Sequence, residues 1–278
     1  MADSLRSLGH EVTLLEVTTT GDRWSAEGGP AADKGLFVKE LEEALLDGRA
    51  DLAVHSAKDL PGELPARLSI IAVPERAAPW DVIVGVEGGL DALPIGASVA
   101  TGSPRRHAQL LTARPDLTIV DIRGNVDTRL GKLAAGFADA LVLAAAGLER
   151  LGVERADATV LDPAVFVPAP GQGCLAIEAR TDRADLHEAL APLNDAASRL
   201  ALDTERAVLA GFGGGCSAPV GAYCLVRDEE LVVHAFVSRS GDLPGTTLVA
   251  VDGLDDPIGL GEDVAGALRM AINQPVSP

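Results

Sequence analysis

The chain has 278 residues, 47% hydrophobic and 23% charged, which is enough apolar material for two or three compact domains with cores of their own. A net charge of −18 argues against nucleic acid or an anionic membrane as partner, and the sequence contains neither an apolar run of ~18 residues nor the apolar core of a secretory signal. Cys174, Cys216 and Cys224 form no CxxC pair or dense disulfide framework, which points to a reducing, cytoplasmic setting.

Taken in chain order, short β-branched runs alternate with helical periods, the pattern of an α/β protein. Alternation over Glu11 to Val17 predicts a strand. Phe37, Leu41, Ala44 and Leu45 recur at helical spacing, and Gly48 ends that helix. Asp51 to Val54 reads as a short strand running into the loop HSAKDLP, which presents His55, Ser56, Lys58 and Asp59. Open α/β sheets bind ligands at the carboxyl ends of their strands. Lys58 beside Asp59 therefore suits proton transfer next to a cation for an anionic substrate, or is simply a polar loop with a capping side chain. Further strands are predicted at Asp81 to Val86, Ser98 to Ala100, Leu117 to Ile122 and Ala140 to Ala144.

Between Thr101 and Arg150 the acidic character of the chain reverses. Seven basic residues (Arg105, Arg106, Arg114, Arg123, Arg129, Lys132, Arg150) face five acidic ones, so this segment carries +2 in a chain of −18. Such an island suits a small polyanion, although solvated surface ion pairs would look the same. In ATGSPRRHAQLL, Ser103 is an N-cap and Pro104 the first helical residue. Arg105 and Arg106 then sit in a first turn whose dipole disfavours cations, a conflict that an anionic ligand would relieve. Guanidinium forks suit carboxylates. DIRGNVDTRLGKL repeats the device: Asn125 caps a helix whose buried face is Val126, Leu130 and Leu133. Arg123 precedes the cap, Arg129 follows it, and Gly124 permits close approach of a ligand.

After Pro168 the segment PAPGQG is turn-rich and reads as a crossing between domains. A helix from Ala196 to Gly211 leads into GFGGGCSAPVG, where three glycines leave Cys216 on an uncrowded loop as a nucleophile, redox thiol or attachment point. Cys174 and Cys224 lie in apolar runs and read as core. Strands at Val220 to Val226 and Leu231 to Val237, joined by a charged turn, precede a last helix over Leu260 to Ile272. His55, His107 and His234 show no metal-ligand spacing, so no metal is expected.

Six stretches in this order carry a resemblance: KGLFVKELEEALLDGRADLAVHSAKDLP, ATGSPRRHAQL, DIRGNVDTRLGKL, LAAAGLERLG, PAPGQGCLAIEAR and ERAVLAGFGGGCSAPVGAY. Together they resemble the porphobilinogen deaminases (hydroxymethylbilane synthases). The resemblance implies a transferase of tetrapyrrole biosynthesis, cytoplasmic and monomeric, that joins four porphobilinogen units into hydroxymethylbilane with release of ammonia. It implies an α/β fold of three domains, the first two similar to type-2 periplasmic binding protein domains and the third a small α+β domain. On this sequence the domains would be 1–74 with 174–193, 79–168, and 196–278. It also implies a dipyrromethane cofactor held by a thioether, here to Cys216. Asp59 matches the catalytic aspartate, to stabilise charge on pyrrole nitrogens and to shuttle the proton lost on rearomatisation. Lys58, Arg105, Arg106, Arg123, Arg129 and Arg150 match binders of acetate and propionate groups, with Ser56, Thr101, Ser103, Lys34 and Gln172 around the same site.

Two departures are visible. Family members begin with a strand and an Arg-x-Ser-like turn before a helix, whereas Met1 falls within the end of that helix. By that comparison a strand and helix of roughly 25 residues are missing, through a misplaced start or a true truncation. Pro104 stands where a non-proline residue is usual. The residues alone leave open a non-catalytic polycarboxylate-binding protein or an inactive relative.

Overall fold

The computed structural model describes residues 1–17, 38–213, 219–239 and 245–273. In chain order the elements are α1 Ala2–Ser7, α2 Lys39–Leu46, β1 Ala53–Ser56, β2 Leu68–Ala72, β3 Asp81–Val84, β4 Ser98–Ala100, α3 Pro104–Ala113, β5 Thr118–Val120, α4 Val126–Ala134, β6 Ala140–Ala144, α5 Ala145–Arg150, β7 Ala158–Val160, β8 Leu175–Arg180, α6 Ala184–Leu190, α7 Ala196–Ala210, β9 Val220–Arg227, β10 Glu230–Val237, β11 Thr246–Gly253 and α8 Pro257–Asn273. They build an α/β molecule around three sheets, ordered β1-β8-β2, β5-β4-β6-β3-β7 and β11-β10-β9.

The five-stranded sheet explains the arginine-rich segment. β4 pairs in parallel with β5 and β6, while β3 runs antiparallel to β6 and β7. β3 and most of β6 are buried, as befits the near-continuous apolar runs DVIV and ALVLA. Because β3 is antiparallel, its first residue, Asp81, lies at the end of the sheet where β4 and β6 deliver their carboxyl termini. The helix that follows β4 starts at that end too. Ser103 caps it by accepting from the Arg106 N–H at 3.4 Å, and Pro104 occupies the first turn. Asn125 caps α4 in the same way, accepting from Thr128 N at 2.9 Å.

The three-stranded sheet β11-β10-β9 packs α7 and α8 against its inner face, with Val220, Ala222, Cys224, Leu231, Val233, Val264 and Leu268 in one core. Asp228 and Glu229 join β9 to β10 with φ of 51° and 66°, a tight hairpin turn built from two left-handed residues.

Several expectations are corrected. Residues 11–17 form no strand: among the described residues they have no ladder partner, and Leu14 and Leu15 are 71% and 52% exposed. Alternation alone does not make a strand without an edge to pair with. The strand predicted at 51–54 lies two residues later, at Ala53–Ser56, because β8 sets its register through Ala53↔Glu178 and Ser56↔Leu175. The face of α4 expected to be buried is only partly so. β2, β7, β8, β11 and α6 were not anticipated. Phe37, expected in α2, lies outside the described residues.

Candidate active site

The turn of residues 57–59 is a single 3-10 turn directly after β1. Its backbone is held from behind: Ala57 N donates to Cys174 O at 3.0 Å, and Gly171, at φ 74°, packs where a Cβ would meet Ala57 and Lys58 backbone at 3.0 Å. This close approach is the physical need for glycine in PAPGQG. The turn thus presents Lys58 and Asp59 to a cavity of about 210 Å³, whose other walls include Ser103, Arg105, Arg106, Pro170 and Gln172. Six residues singled out in three separate stretches of sequence converge here.

The two arginines of α3 are not free forks. Both are nearly buried, at 5% and 6% exposure, and both reach Asp81, which is fully buried. Arg105 Nη2 donates to Asp81 Oδ2 at 2.9 Å, and Arg106 donates through Nη2 (2.7 Å) and Nε (3.2 Å) to Oδ1. Their remaining terminal nitrogens donate to Val167 O at 2.6 Å and Val142 O at 3.0 Å. Gln172 adds a bond to Asp81 Oδ1 at 2.9 Å and one to Pro79 O at 2.7 Å. Burial alone would raise the Asp81 carboxyl, but the two guanidiniums outweigh it and hold it well below the usual carboxylate range. Their charge lines the cavity, while much of their hydrogen bonding is directed inward to Asp81 and backbone carbonyls.

The other candidates are distributed around this centre. Thr101 is buried and accepts from Ser103 N at 3.2 Å, supporting the cap, and Ser56 is the last residue of β1. Arg123 pairs with Asp121 at 3.0 Å, and Arg129 Nε donates to Gly124 O at 2.6 Å. Burial lowers the proton affinity of Arg129, and the nearby charges of Arg106 and Arg123 lower it further, which places the three cations in one electrostatic field. Arg150 donates to Gly173 O at 2.8 Å and so grips the crossing segment. None of Ser56, Thr101, Arg123, Arg129 and Arg150 lines the cavity itself. Lys34 and Cys216 lie outside the described residues. Cys174 and Cys224 are each 1% exposed, and burial pushes both thiols up to about 12, as befits core residues.

Sequence reasoning missed three residues that organise the site. Asp81 reads as the polar start of a strand. Arg76 lies in a connector, yet its guanidinium pairs with buried Glu205 at 2.7 and 3.1 Å and donates to Gln172 O at 2.9 Å. Glu205 also accepts from Gly171 N and Cys224 N at 2.6 and 2.8 Å. The available signal was Glu205 itself, an acid on the apolar stripe Ala201, Leu202, Val208 and Leu209 of α7.

A buried carboxylate holding two cations beside a half-buried Lys–Asp turn suits a multiply negative ligand: each guanidinium has five N–H groups, so donors remain after the inward bonds are made. Among the described residues, Arg105 Nε and Gln172 Oε1 are buried without a hydrogen-bond partner.

Comparison with known proteins gives this site its setting. The family model "Porphobilinogen deaminase, dipyromethane cofactor binding domain" matches residues 1–188, and "Porphobilinogen deaminase, C-terminal domain" matches residues 200–269. The chain is 48% identical over 271 residues to porphobilinogen deaminase of Roseiflexus sp. (strain RS-1), covering 96% of this chain and 89% of the relative. It is 50% identical over 256 residues to that of Acidothermus cellulolyticus (strain ATCC 43068 / DSM 8971 / 11B), covering 89% and 76%. Among solved structures, a putative methionine-binding lipoprotein from Bacillus subtilis overlays 56% of this chain and 74% of its own at 14% identity, with a TM-score of 0.38. Matched by both family models and nearly half identical to relatives over most of its length, the chain belongs to the porphobilinogen deaminase family.

Proposed function

We propose that this chain joins four porphobilinogen units head to tail into hydroxymethylbilane, releasing ammonia, in tetrapyrrole biosynthesis. The observation that carries the reading is the meeting of Lys58 and Asp59 with Arg105, Arg106, Ser103 and Gln172 around one cavity. Family membership is in a group of enzymes, and it sets aside the receptor reading. A bound dipyrromethane supplies the nucleophilic pyrrole carbon from which the chain grows. Cys216 is the residue for its thioether. Arg105 and Arg106, with Arg123, Arg129 and Arg150 around them, supply the positive field for its acetates and propionates, and Lys34 is a further candidate for the same groups.

Asp59 accepts pyrrole N–H bonds and stabilises the positive charge that develops on those nitrogens as ammonia leaves. Ser103 and Gln172 offer polar contacts at the edge of the same cavity, and Ser56 and Thr101 support the two turns from behind. In domain terms, residues 1–74 with 174–193 carry the Asp59 turn, 79–168 the cationic wall, and 196–278 the attachment cysteine. The first two take the form of type-2 periplasmic binding protein domains. The molecule works as a cytoplasmic monomer.

The test is substitution of Asp59, the one acid among the described residues that line the cavity. Asp59→Ala keeps the fold by circular dichroism and melting temperature but loses turnover by about 10²-fold or more. Asp59→Glu retains the charge, misplaces it, and falls between the two. Near-normal turnover in Asp59→Ala would refute the role.

A further inference from the structure

A buried polar pair, His55 and Glu178, lies directly behind the Lys58–Asp59 turn and outside the site described above. His55 is the third residue of β1; Ser56 ends that strand, and the turn follows at once. His55 Nε2 meets Glu178 Oε2 of the central strand β8 at 3.0 Å, with the two side chains only 3% and 0% exposed. In the ladder His55 stands opposite Ala176 and Ala53 opposite Glu178, so the bond runs diagonally across the two strands. On its other side Glu178 stands opposite Ile70, at the point where the register of β2 on β8 shifts. Such irregularities re-aim a side chain. Among the described residues this is the only hydrogen bond that either side chain makes, and Glu178 Oε1 is buried with none. The surroundings are apolar: Ala176 and Ile70, the ladder neighbours of the pair, share a cluster with Val38 and Leu202.

We infer that the His55–Glu178 bond is a register pin: it fixes β1 along β8 and thereby sets where Asp59 meets the pyrrole nitrogens. The inference rests on the function proposed above. Register is normally specified by an apolar pattern on the buried face of a strand. β1 has only four residues, and of these Ala53 and His55 alone are buried, so that pattern is almost absent from it. Among the described residues its one ladder partner is β8. Any shift of β1 carries the turn with it, because the turn begins at the next residue and its Ala57 N–H donates to Cys174 O, just ahead of β8. A buried ionisable pair adds little net stability, since well-packed apolar residues of similar volume do as well or better. What the directional bond adds is a fixed geometry. Displacing a reacting group by about 1 Å can lower a rate by about 10²-fold. His55 and Glu178 are thus positioning residues, acting through Asp59, and neither lines the cavity.

The test compares His55→Ala, His55→Gln and the double change His55→Leu with Glu178→Met, which fills similar space without the bond. In folded protein, His55→Ala should lower kcat by about 10²-fold while KM changes by no more than about threefold, because Asp59 acts in the transition state. His55→Gln has an amide that can still donate to Glu178, and it should recover kcat to within about tenfold of wild type. The double variant should keep the wild-type melting temperature and yet turn over as slowly as His55→Ala. A pair that merely supported the fold would lose rate only where it loses stability. A double variant that is stable and turns over like wild type therefore overturns the inference. So does a folded His55→Gln no faster than His55→Ala, a comparison that decides the matter if the double variant fails to fold. Wild-type protein that consumes no porphobilinogen would instead overturn the function on which the inference rests.

Discussion

At the scale of single residues, Asp81 carries more of the site than any residue the sequence singled out. Its carboxylate is fully buried and bonded to Arg105, Arg106 and Gln172, from positions 24, 25 and 91 residues away. Those separations are why it was not legible: one acid ahead of the run VIV resembles a solvated strand start. Asp59, Lys58 and the α3 arginines were legible because each sits in a compact local pattern, a strand-end turn or a capped helix start. Removing one partner of a buried ion cluster leaves uncompensated charge, so Asp81→Asn should cost about 3–5 kcal/mol, checked by denaturant unfolding. The sign of the pH dependence follows from the carboxyl being held below its ordinary 3.8. Its contribution is in place above the ordinary value and is lost as pH falls through the folded value, so Asp81→Asn should flatten the acid limb of the stability curve. The buried thiols make a separate prediction: with both pushed up to about 12, Cys174 and Cys224 should resist iodoacetamide at pH 8 in native protein and react once it is unfolded.

At the scale of elements, the sequence was informative where local and tertiary preferences agree. Ser98–Ala100 and Ala140–Ala144 are β-branched or apolar runs buried in a five-stranded sheet, and both strands lie where they were predicted. Leu175–Arg180 is the opposite case. LAIEAR has the composition of a helix, yet it is the central strand of its sheet, paired on both sides, with Glu178 fully buried and bonded to His55 at 3.0 Å. Tertiary pairing overrides propensity there. The crossing segment shows why backbone freedom can matter as much as side chains. A Cβ on Gly173, at φ 87°, would strike Ala77 O, and one on Gly171 would press on the backbone of Ala57 and Lys58. Gly171→Ala should therefore lower turnover by displacing the Lys58–Asp59 turn, with a smaller loss of stability than Gly173→Ala. Parallel measurements of kcat and melting temperature on the two variants check this.

At the scale of the whole molecule, the three sheets are tied together at one polar hub. Arg76, in the connector between β2 and β3, bonds Glu205 of α7, Gln172 O of the crossing segment and Cys224 O of β9, the last at 3.3 Å. Burial opposes the Arg76 charge, and Glu205 outweighs it, holding the guanidinium above its ordinary range. Glu205→Gln should lower stability by about 3–5 kcal/mol and loosen the crossing segment, which hydrogen exchange at Gly171 would report. Such long-range ties were not legible, whereas the overall α/β class was, because it rests on periodicities repeated along the chain.

On the proposed function, this molecule assembles and extends a pyrrole chain on Cys216. The most direct measurement is the intact mass of the purified protein beside a Cys216→Ala control. Attachment at Cys216 gives an added mass equal to two linked pyrrole units on the wild-type chain and none on the control, with further units appearing after brief exposure to porphobilinogen. A wild-type chain of unmodified mass that gains nothing from porphobilinogen, or an equal adduct on the control, would contradict it.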